Sequence, residues 1–215
     1  MDDRRETEDD DVASVTKWER LFVDYCQYNV YTVPGASRLD IYWLGDDLLH
    51  VGGPNLLTGF CGEHTGWTQA RVQVLPAPPP QVDADWDAVS EATLWCPSGR
   101  LFVTGLLGGS TDALTDVAVP RGLIRVRLHA RNRIHESVRA DADPPEQHEI
   151  HIWAVSAETP WRTVRADPNA RAWQQKPAKA AEWAMLSLVP RPSGRPDILP
   201  PCHRIPSTTT PACPA

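Results

Sequence analysis

The chain of 215 residues lacks the short motifs of several common active sites. It contains no Gly-x-Ser-x-Gly motif, which positions the nucleophile of many serine hydrolases. Its glycine-rich stretch Gly105–Ser110 lacks the Gly-Lys-Ser/Thr ending of a phosphate-binding loop and is predicted to be a long connection between strands. The five cysteines are scattered and form no Cys-x-x-Cys pair. We therefore expect no cofactor and no resident metal.

The chain also lacks long apolar runs and an excess of basic charge. No run of about 18 apolar residues occurs, so the sequence indicates no membrane span, and the N-terminus lacks the apolar run of a secretory signal. The formal net charge of −7 argues against non-specific nucleic-acid binding, which depends on neutralising phosphates. We expect a cytoplasmic protein with reduced thiols and neither nucleic-acid nor membrane partners.

Proline, in contrast, is abundant, with 21 residues. Because a proline inside a helix costs about 3 kcal/mol, this abundance argues against a mainly helical fold. The composition predicts a disordered acidic tail over residues 1–14, a single β-sandwich domain over 15–189 and a proline-rich disordered tail over 190–215. One C-terminal helix is predicted over Pro177–Leu188, because proline suits the first position of a helix.

Short apolar runs separated by turn signals fill the predicted domain. They are rich in aromatic and β-branched residues, and they end at Pro, Gly or Asn clusters. The predicted strands are Arg20–Val33, Asp47–Val51, Leu56–Phe60, Trp67–Leu75, Trp86–Cys96, Arg100–Leu106 and His148–Val155, together with the run from Gly122 to Arg131. This pattern favours an all-β fold, either an antiparallel β-sandwich or a jelly-roll-like barrel.

The most regular of these runs is Gly122–Arg131, in which apolar residues alternate with Arg and His. Side chains alternate between the two faces of a strand, so this run has one apolar and one cationic face. The preceding Val117–Val119 and the turn Pro120-Arg121-Gly122 predict that the run is the second strand of a half-buried antiparallel hairpin.

Two interpretations of the cationic row remain open. Arg125, Arg127 and Arg131 could bind a carboxylate-rich surface of a partner protein through bidentate contacts. Alternatively, acids on neighbouring strands, for example Glu149, could neutralise the row. The first interpretation makes these three arginines candidate partner-binding residues.

Histidines and one cysteine offer an alternative site in a small-ligand or metal-binding β-barrel enzyme. The candidates are His148, His151 and Cys61, with His129, His135, Glu146 and Glu149 close by in sequence. Two observations oppose a metal site. His148 and His151 are three residues apart on a strand, which directs them to opposite faces, and His129 shares its face with arginines, whose charge would repel a cation. Cys61 lies three residues from His64 in a Gly-flanked loop, and an imidazolium would make such a thiol more nucleophilic.

Several short strings resemble those of known proteins. They are Leu21–Val30 with its Tyr-x-Gln-aromatic pattern, Trp86–Glu91, Pro97–Gly99, Val119–Gly122 and His151–Trp153. Together they resemble a group of bacterial single-domain β-sandwich proteins and are similar to the competence protein J family, small cytosolic inhibitors of a DNA-entry nuclease. The resemblance covers about residues 20–155 and carries no catalytic residue. It implies a protein-binding module of the inhibitor or immunity type.

Overall fold

The computed structural model of the chain describes residues 13–34, 44–134 and 143–168. These residues contain a single 3₁₀ turn, Asp112–Leu114, no α-helix, and no helix that could cross a membrane. The strands there are β1 (Ser14–Val15), β2 (Glu19–Asp24), β3 (Gln27–Tyr31), β4 (Leu44–Gly45), β5 (Leu49–Gly53), β6 (Leu56–Phe60), β7 (Thr65–Val74), β8 (Ala88–Cys96), β9 (Arg100–Gly105), β10 (Val117–Ala118), β11 (Gly122–Arg131), β12 (Gln147–Ala154) and β13 (Arg162–Arg165). The predicted all-β class is confirmed.

The described strands form one continuous sheet that curls into a half-barrel. Its order is β13-β8-β11-β12-β7-β2-β3-β6-β5-β4, with β1 on β7 and with β9 between β3 and β10. The neighbours β7 and β12 run parallel, whereas the other pairs are antiparallel. The fold is thus one curled, mixed sheet rather than two antiparallel sheets packed face to face.

The hairpin predicted around Pro120 is wrong. β10 pairs with β9, and β11 instead lies between β8 and β12, pairing with each over nearly its whole length. The Pro-Arg-Gly segment instead continues the chain from the partner of β9 to the partner of β8, because Ala118 pairs with Arg100 and Gly122 with Cys96. A turn signal marks where the chain bends but does not determine which strands pair across it.

The predicted long strand Arg20–Val33 is interrupted by a tight turn at Tyr25 and Cys26. Both residues have positive φ, at 53° and 59°, as the central residues of a type I′ hairpin turn require. Because Asn and Gly usually occupy such positions, the Tyr-Cys pair carries no turn signal in the sequence. Tyr25 is exposed, and its left-handed backbone is strained.

The apolar core lies on the concave face of the half-barrel. The alternate residues of β11 that point there, from Ile124 to Ala130, are fully buried, as the pattern predicts. Burying such aliphatic side chains stabilises the fold by about 1.5–3 kcal/mol each. The opposite face of β11 is also buried, because the connection between β12 and β13 crosses it and its Thr159 and Pro160 carbonyls bind Arg125.

The predicted tails and helix lie largely outside the described residues. Ser14, which the prediction places in the acidic tail, begins β1 and pairs with Val74. Residues 1–12, the predicted helix Pro177–Leu188 and residues 190–215 are not among those described.

Candidate functional site

We call the convex side of β2, β7, β12, β11, β8 and β13 the outer face. Two of the predicted partner-binding residues, Arg125 and Arg127, point to this face but are only 4% and 6% exposed. Glu91, which pairs with Arg127 across β8 and β11, accepts a hydrogen bond from Arg127 Nε at 2.8 Å and one from Arg125 Nη2 at 3.3 Å. Arg162 of β13 donates to the same carboxylate at 2.6 Å, although its own side chain is 65% exposed.

The ionised carboxylate of Glu91 therefore accepts hydrogen bonds from three guanidinium groups. Burial acts to raise the pKa of Glu91, but the hydrogen bonds from Arg127 and Arg162 outweigh it and lower the pKa below its usual value. Arg125 also donates to the carbonyl oxygens of Thr159 and Pro160, at 2.8 and 3.0 Å. These contacts hold the segment after β12 over the outer face.

The carboxylate that meets Arg125 and Arg127 is thus Glu91, rather than Glu149. Glu149 accepts a hydrogen bond from Arg71 of β7 at 2.7 Å and lies 3.3 Å from His151 Nε2. Burial acts to raise its pKa, but His151 and Arg71 outweigh this and lower the pKa to about 2.

Arginine–tryptophan contacts recur across the outer face. Arg131, the third predicted partner-binding residue, is partly exposed and donates to Gln147 Oε1 at 2.8 Å. Its guanidinium lies 4.8 Å from the ring centroid of Trp86. Among the described residues, further such contacts join Arg20 to Trp67 at 4.2 Å, Arg71 to Trp18 at 4.4 Å and Arg127 to Trp153 at 5.1 Å.

The part of the outer face formed by β2 and β7 is open. Trp67 projects from β7 with 51% of its surface exposed. Arg20 lies over its ring, and Phe22 contacts the ring edge-on with 5.1 Å between centroids. Phe22 is itself supported by the loop after β9, because its backbone N–H donates to the Gly109 carbonyl at 3.0 Å. The exposed indole is therefore fixed from two sides, and we call Trp67, Arg20 and Phe22 the aromatic patch.

The charge on the outer face differs from that of the whole chain, whose formal net charge is −7. The strands direct three carboxylates to this face, those of Asp24, Glu91 and Glu149. They direct seven arginines to it, namely Arg20, Arg71, Arg125, Arg127, Arg131, Arg162 and Arg165. The outer face is therefore cationic on an acidic protein.

His129 lies in the buried centre of the outer face and is neutral at physiological pH. Its ring lies tilted against the ring of His151, with 4.3 Å between centroids, and its Nδ1–H donates to the Glu149 carbonyl at 3.2 Å. Burial, together with the neighbouring His151, lowers the pKa of His129 from 6.5 to about 3. The folded protein therefore does not take up a proton at His129 in mild acid.

Replacing His129 with Asn is expected to reduce the loss of stability between pH 7 and pH 5 by about 2 kcal/mol. Below pH 6.5 the unfolded chain binds a proton at His129 that the folded protein rejects until about pH 3, so acid favours unfolding. Asn keeps a donor near the Glu149 carbonyl and does not titrate. Urea unfolding at the two pH values measures the difference, and equal losses for both proteins would contradict the assignment.

A buried polar cluster occupies one end of the concave face. His148 points inward, whereas His151 points to the outer face, as their spacing predicts. Burial raises the pKa of Tyr28 well above its usual value, so its hydroxyl stays protonated, and it lies 3.2 Å from His148 Nδ1. His148 Nε2–H donates to Glu146 at 2.9 Å.

Glu146 is the centre of this cluster. Its two oxygens also accept hydrogen bonds from the backbone N–H groups of Gly62 and Glu63, at 2.8 and 3.0 Å. Burial acts to raise its pKa, but the contacts with His148 and Gly62 outweigh it and leave the pKa below its usual value. Arg133 lies nearby, bound to Asp47 at 3.0 Å and Asp167 at 2.9 Å. The contacts of the cluster tie β3, the loop after β6 and the start of β12 together.

The predicted pairing of Cys61 with His64 does not form. Cys61 is fully buried, whereas His64 is at the surface with its ring near Thr65 and Tyr25. Burial, followed by the negative charge of Glu146, raises the pKa of the Cys61 thiol well above its usual value. Both ring nitrogens of His148 are engaged elsewhere, so neither can deprotonate this thiol. These contacts oppose a nucleophilic role for Cys61.

No protein-family model matches the chain, and no curated protein matches it. Among solved structures, the half-barrel is similar to that of ComJ from Bacillus subtilis, described as an inhibitor of the DNA degrading activity of NucA. The two share 7% sequence identity over 67% of this chain and 99% of ComJ, with a TM-score of 0.50. The chain is also similar to the product of crocagin biosynthetic gene J, at 16% identity over 66% and 97% of the respective chains, with a TM-score of 0.45. The resemblance to the competence protein J family is thereby confirmed as a likeness of fold.

Proposed function

We propose that the chain is a cytoplasmic protein-binding module of the inhibitor or immunity type and that it binds its partner through the outer face. The observation that carries the proposal is the exposed Trp67, held between Arg20 and Phe22. Tryptophan and arginine are enriched among the residues that dominate binding energies at protein interfaces.

The aromatic patch is also preorganised. Binding normally costs about 0.5–1.5 kcal/mol for each flexible side chain that must be fixed at the interface. Because Arg20 and Phe22 already hold the Trp67 ring, little of this cost remains when a partner arrives. The charge of the outer face favours a partner with an acidic surface, since complementary charge speeds association and selects the partner.

The three arginines predicted to bind a partner, Arg125, Arg127 and Arg131, have different roles in this proposal. Arg131, which is partly exposed beside Trp86, extends the contact surface away from the aromatic patch, and the exposed Arg162 extends it further. Arg125 and Arg127 support this surface from below, because Glu91 already binds them. A carboxylate-rich partner would thus meet Arg20, Arg131 and Arg162 first.

The likeness to ComJ supports an inhibitor role by analogy of fold, because ComJ is an inhibitor of the activity of another protein, NucA. We propose that the partner of this chain is likewise an enzyme. A DNA-degrading enzyme with acidic residues around its active site fits both arguments. It agrees with the analogy to ComJ, and its acidic surface is complementary to the cationic outer face.

Trp67→Ala is expected to weaken partner binding by at least about 2 kcal/mol, roughly 30-fold in Kd, because truncating such an anchor removes its buried area. The partner is first captured from the source cells with the tagged chain, then purified and titrated by calorimetry. Val164→Ala is the matched control for the aromatic patch, since Val164 is 38% exposed on the edge strand β13, four strands away from β7 in the sheet order.

The control variant is expected to bind like the unmodified chain. Equal affinity for the Trp67→Ala variant would contradict the proposed site, and so would an equal loss in both variants. Absence of any captured protein above background would contradict the binding function itself. Inhibition is tested separately, by measuring the catalytic activity of the purified partner with and without the chain.

A further inference from the structure

We infer that Cys61, Glu146 and His148 form a buried site for a divalent transition-metal ion, with zinc the best match. One ligand atom from each residue lies within 4.8 Å of the other two, and all three residues are buried. Thiolate, carboxylate and imidazole are the ligands that zinc takes in proteins. This inference does not depend on the proposed binding function, which uses the opposite face of the sheet.

The distances suit a tetrahedral ion. Zinc binds nitrogen and oxygen ligands at about 2.0–2.2 Å, which places two such ligands about 3.3 Å apart in a tetrahedron. His148 Nε2 and the Glu146 oxygen are 2.9 Å apart, so the two groups need to separate by only a few tenths of an ångström. The ion would replace the hydrogen bond between them.

The groups around these ligands are already arranged to orient them. A metal-binding histidine usually hydrogen-bonds through its other ring nitrogen, and Tyr28 supplies that partner at His148 Nδ1. The backbone N–H groups of Gly62 and Glu63 hold the Glu146 carboxylate from the side of the loop that carries Cys61. The same contacts keep the three ligands together before an ion binds.

Charge and protons balance in the bound state. Cys61 releases its thiol proton to water, and the thiolate and the Glu146 carboxylate then neutralise the two positive charges of the ion. In the bound state His148 Nε2 carries no proton and binds the ion, while Nδ1–H donates to Tyr28 Oη, so the imidazole adds no charge. A neutral site of this kind is compatible with full burial, whereas an unbalanced charge is not.

The site lies close to the surface. His64 is exposed and Glu63 is partly exposed, although Cys61 and Gly62 are buried. A local opening of the loop from Cys61 to His64 would therefore admit an ion without unfolding of the sheet. Three protein ligands leave the fourth zinc position for water, the arrangement found in catalytic zinc sites.

The test measures metal in the untagged full-length chain after refolding with Zn²⁺ and removal of free metal. The chain is expected to retain one zinc ion, and the Cys61→Ser variant none. Cys96→Ser is the matched control, because Cys96 is also buried but hydrogen-bonds to the Arg100 carbonyl in a different part of the fold. It should retain zinc like the unmodified chain.

Cobalt gives a second readout that does not depend on any variant. Co²⁺ bound at this site should show a thiolate-to-cobalt charge-transfer band in the unmodified chain. Absence of zinc from the refolded chain would overturn the inference. Cobalt bound without the thiolate band, or zinc retained by a folded Cys61→Ser variant, would also overturn it. None of these outcomes affects the prediction for Trp67.

Discussion

Glu91→Gln is expected to lower the free energy of unfolding by about 3–5 kcal/mol, a large part of the total for a domain of this size. The substitution keeps the shape of the side chain but removes the charge that neutralises Arg125 and Arg127, both of which stay buried. A buried guanidinium without a counter-charge is far more costly than the loss of one exposed ion pair. Urea unfolding of the two proteins measures the difference.

Two further variants distinguish the effect of the buried arginines, Arg125 and Arg127, from that of the exposed Arg162. Arg162→Gln should cost less than about 1 kcal/mol, because the Arg162 side chain is 65% exposed and solvent screens its contact with Glu91. Combining Glu91→Gln with Arg127→Met should cost less than the sum of the single changes, because the second change removes one of the stranded charges. A loss below about 1 kcal/mol for Glu91→Gln would contradict the charge argument.

The alternation of β11 illustrates what the sequence predicts and what it leaves open. The period of two assigns Ile124 to the concave face and Arg125 to the outer face, and the structure has both there. The burial of Arg125 does not follow from that pattern. It depends on a segment more than thirty residues further along the chain, whose Thr159 and Pro160 carbonyls bind the guanidinium.

Strand pairing was predicted less well than strand location, for a similar reason. The predicted hairpin at Pro120 assumes that neighbours in sequence pair in the sheet. Glu149 does lie on a neighbour of β11, but it is opposite His129 and binds Arg71 of β7. The other neighbour of β11, β8, places Glu91 beside Arg127. Only the full strand order determines which carboxylate meets which arginine.

The candidate sites themselves combine residues that are distant in sequence. Cys61 and His148 were each singled out from the sequence, but their proximity comes from the way β6 and β12 enclose the core. The aromatic patch was missed, because Arg20 and Trp67 meet only through the pairing of β2 with β7. The sequence did contain one indication of the patch. Arg20 and Phe22 alternate with buried residues in a strand-like run, which places both side chains on the same face of the strand.

β12 connects the two candidate sites through its alternation. Its inward residue His148 belongs to the buried polar cluster, and its outward residues Glu149 and His151 belong to the outer face. A shift of β12 by one residue would exchange these two sets and place charged groups in the core. The contacts of Glu146, immediately before the strand, therefore help to fix the register on which both faces depend.

Glu146→Gln is accordingly expected to destabilise the protein by about 4 kcal/mol. The carboxylate accepts hydrogen bonds from three buried or half-buried donors, the N–H groups of Gly62 and Glu63 and Nε2 of His148. An amide turns one acceptor into a donor, so at least one of these groups meets another donor, and each buried group left unsatisfied costs about 1–3 kcal/mol. Gln147→Ala, one residue further and partly exposed, is the control and should cost about 1 kcal/mol or less. Urea unfolding of metal-free protein makes the comparison independent of zinc, and a similar loss in both variants would show that Glu146 does not fix this end of the half-barrel.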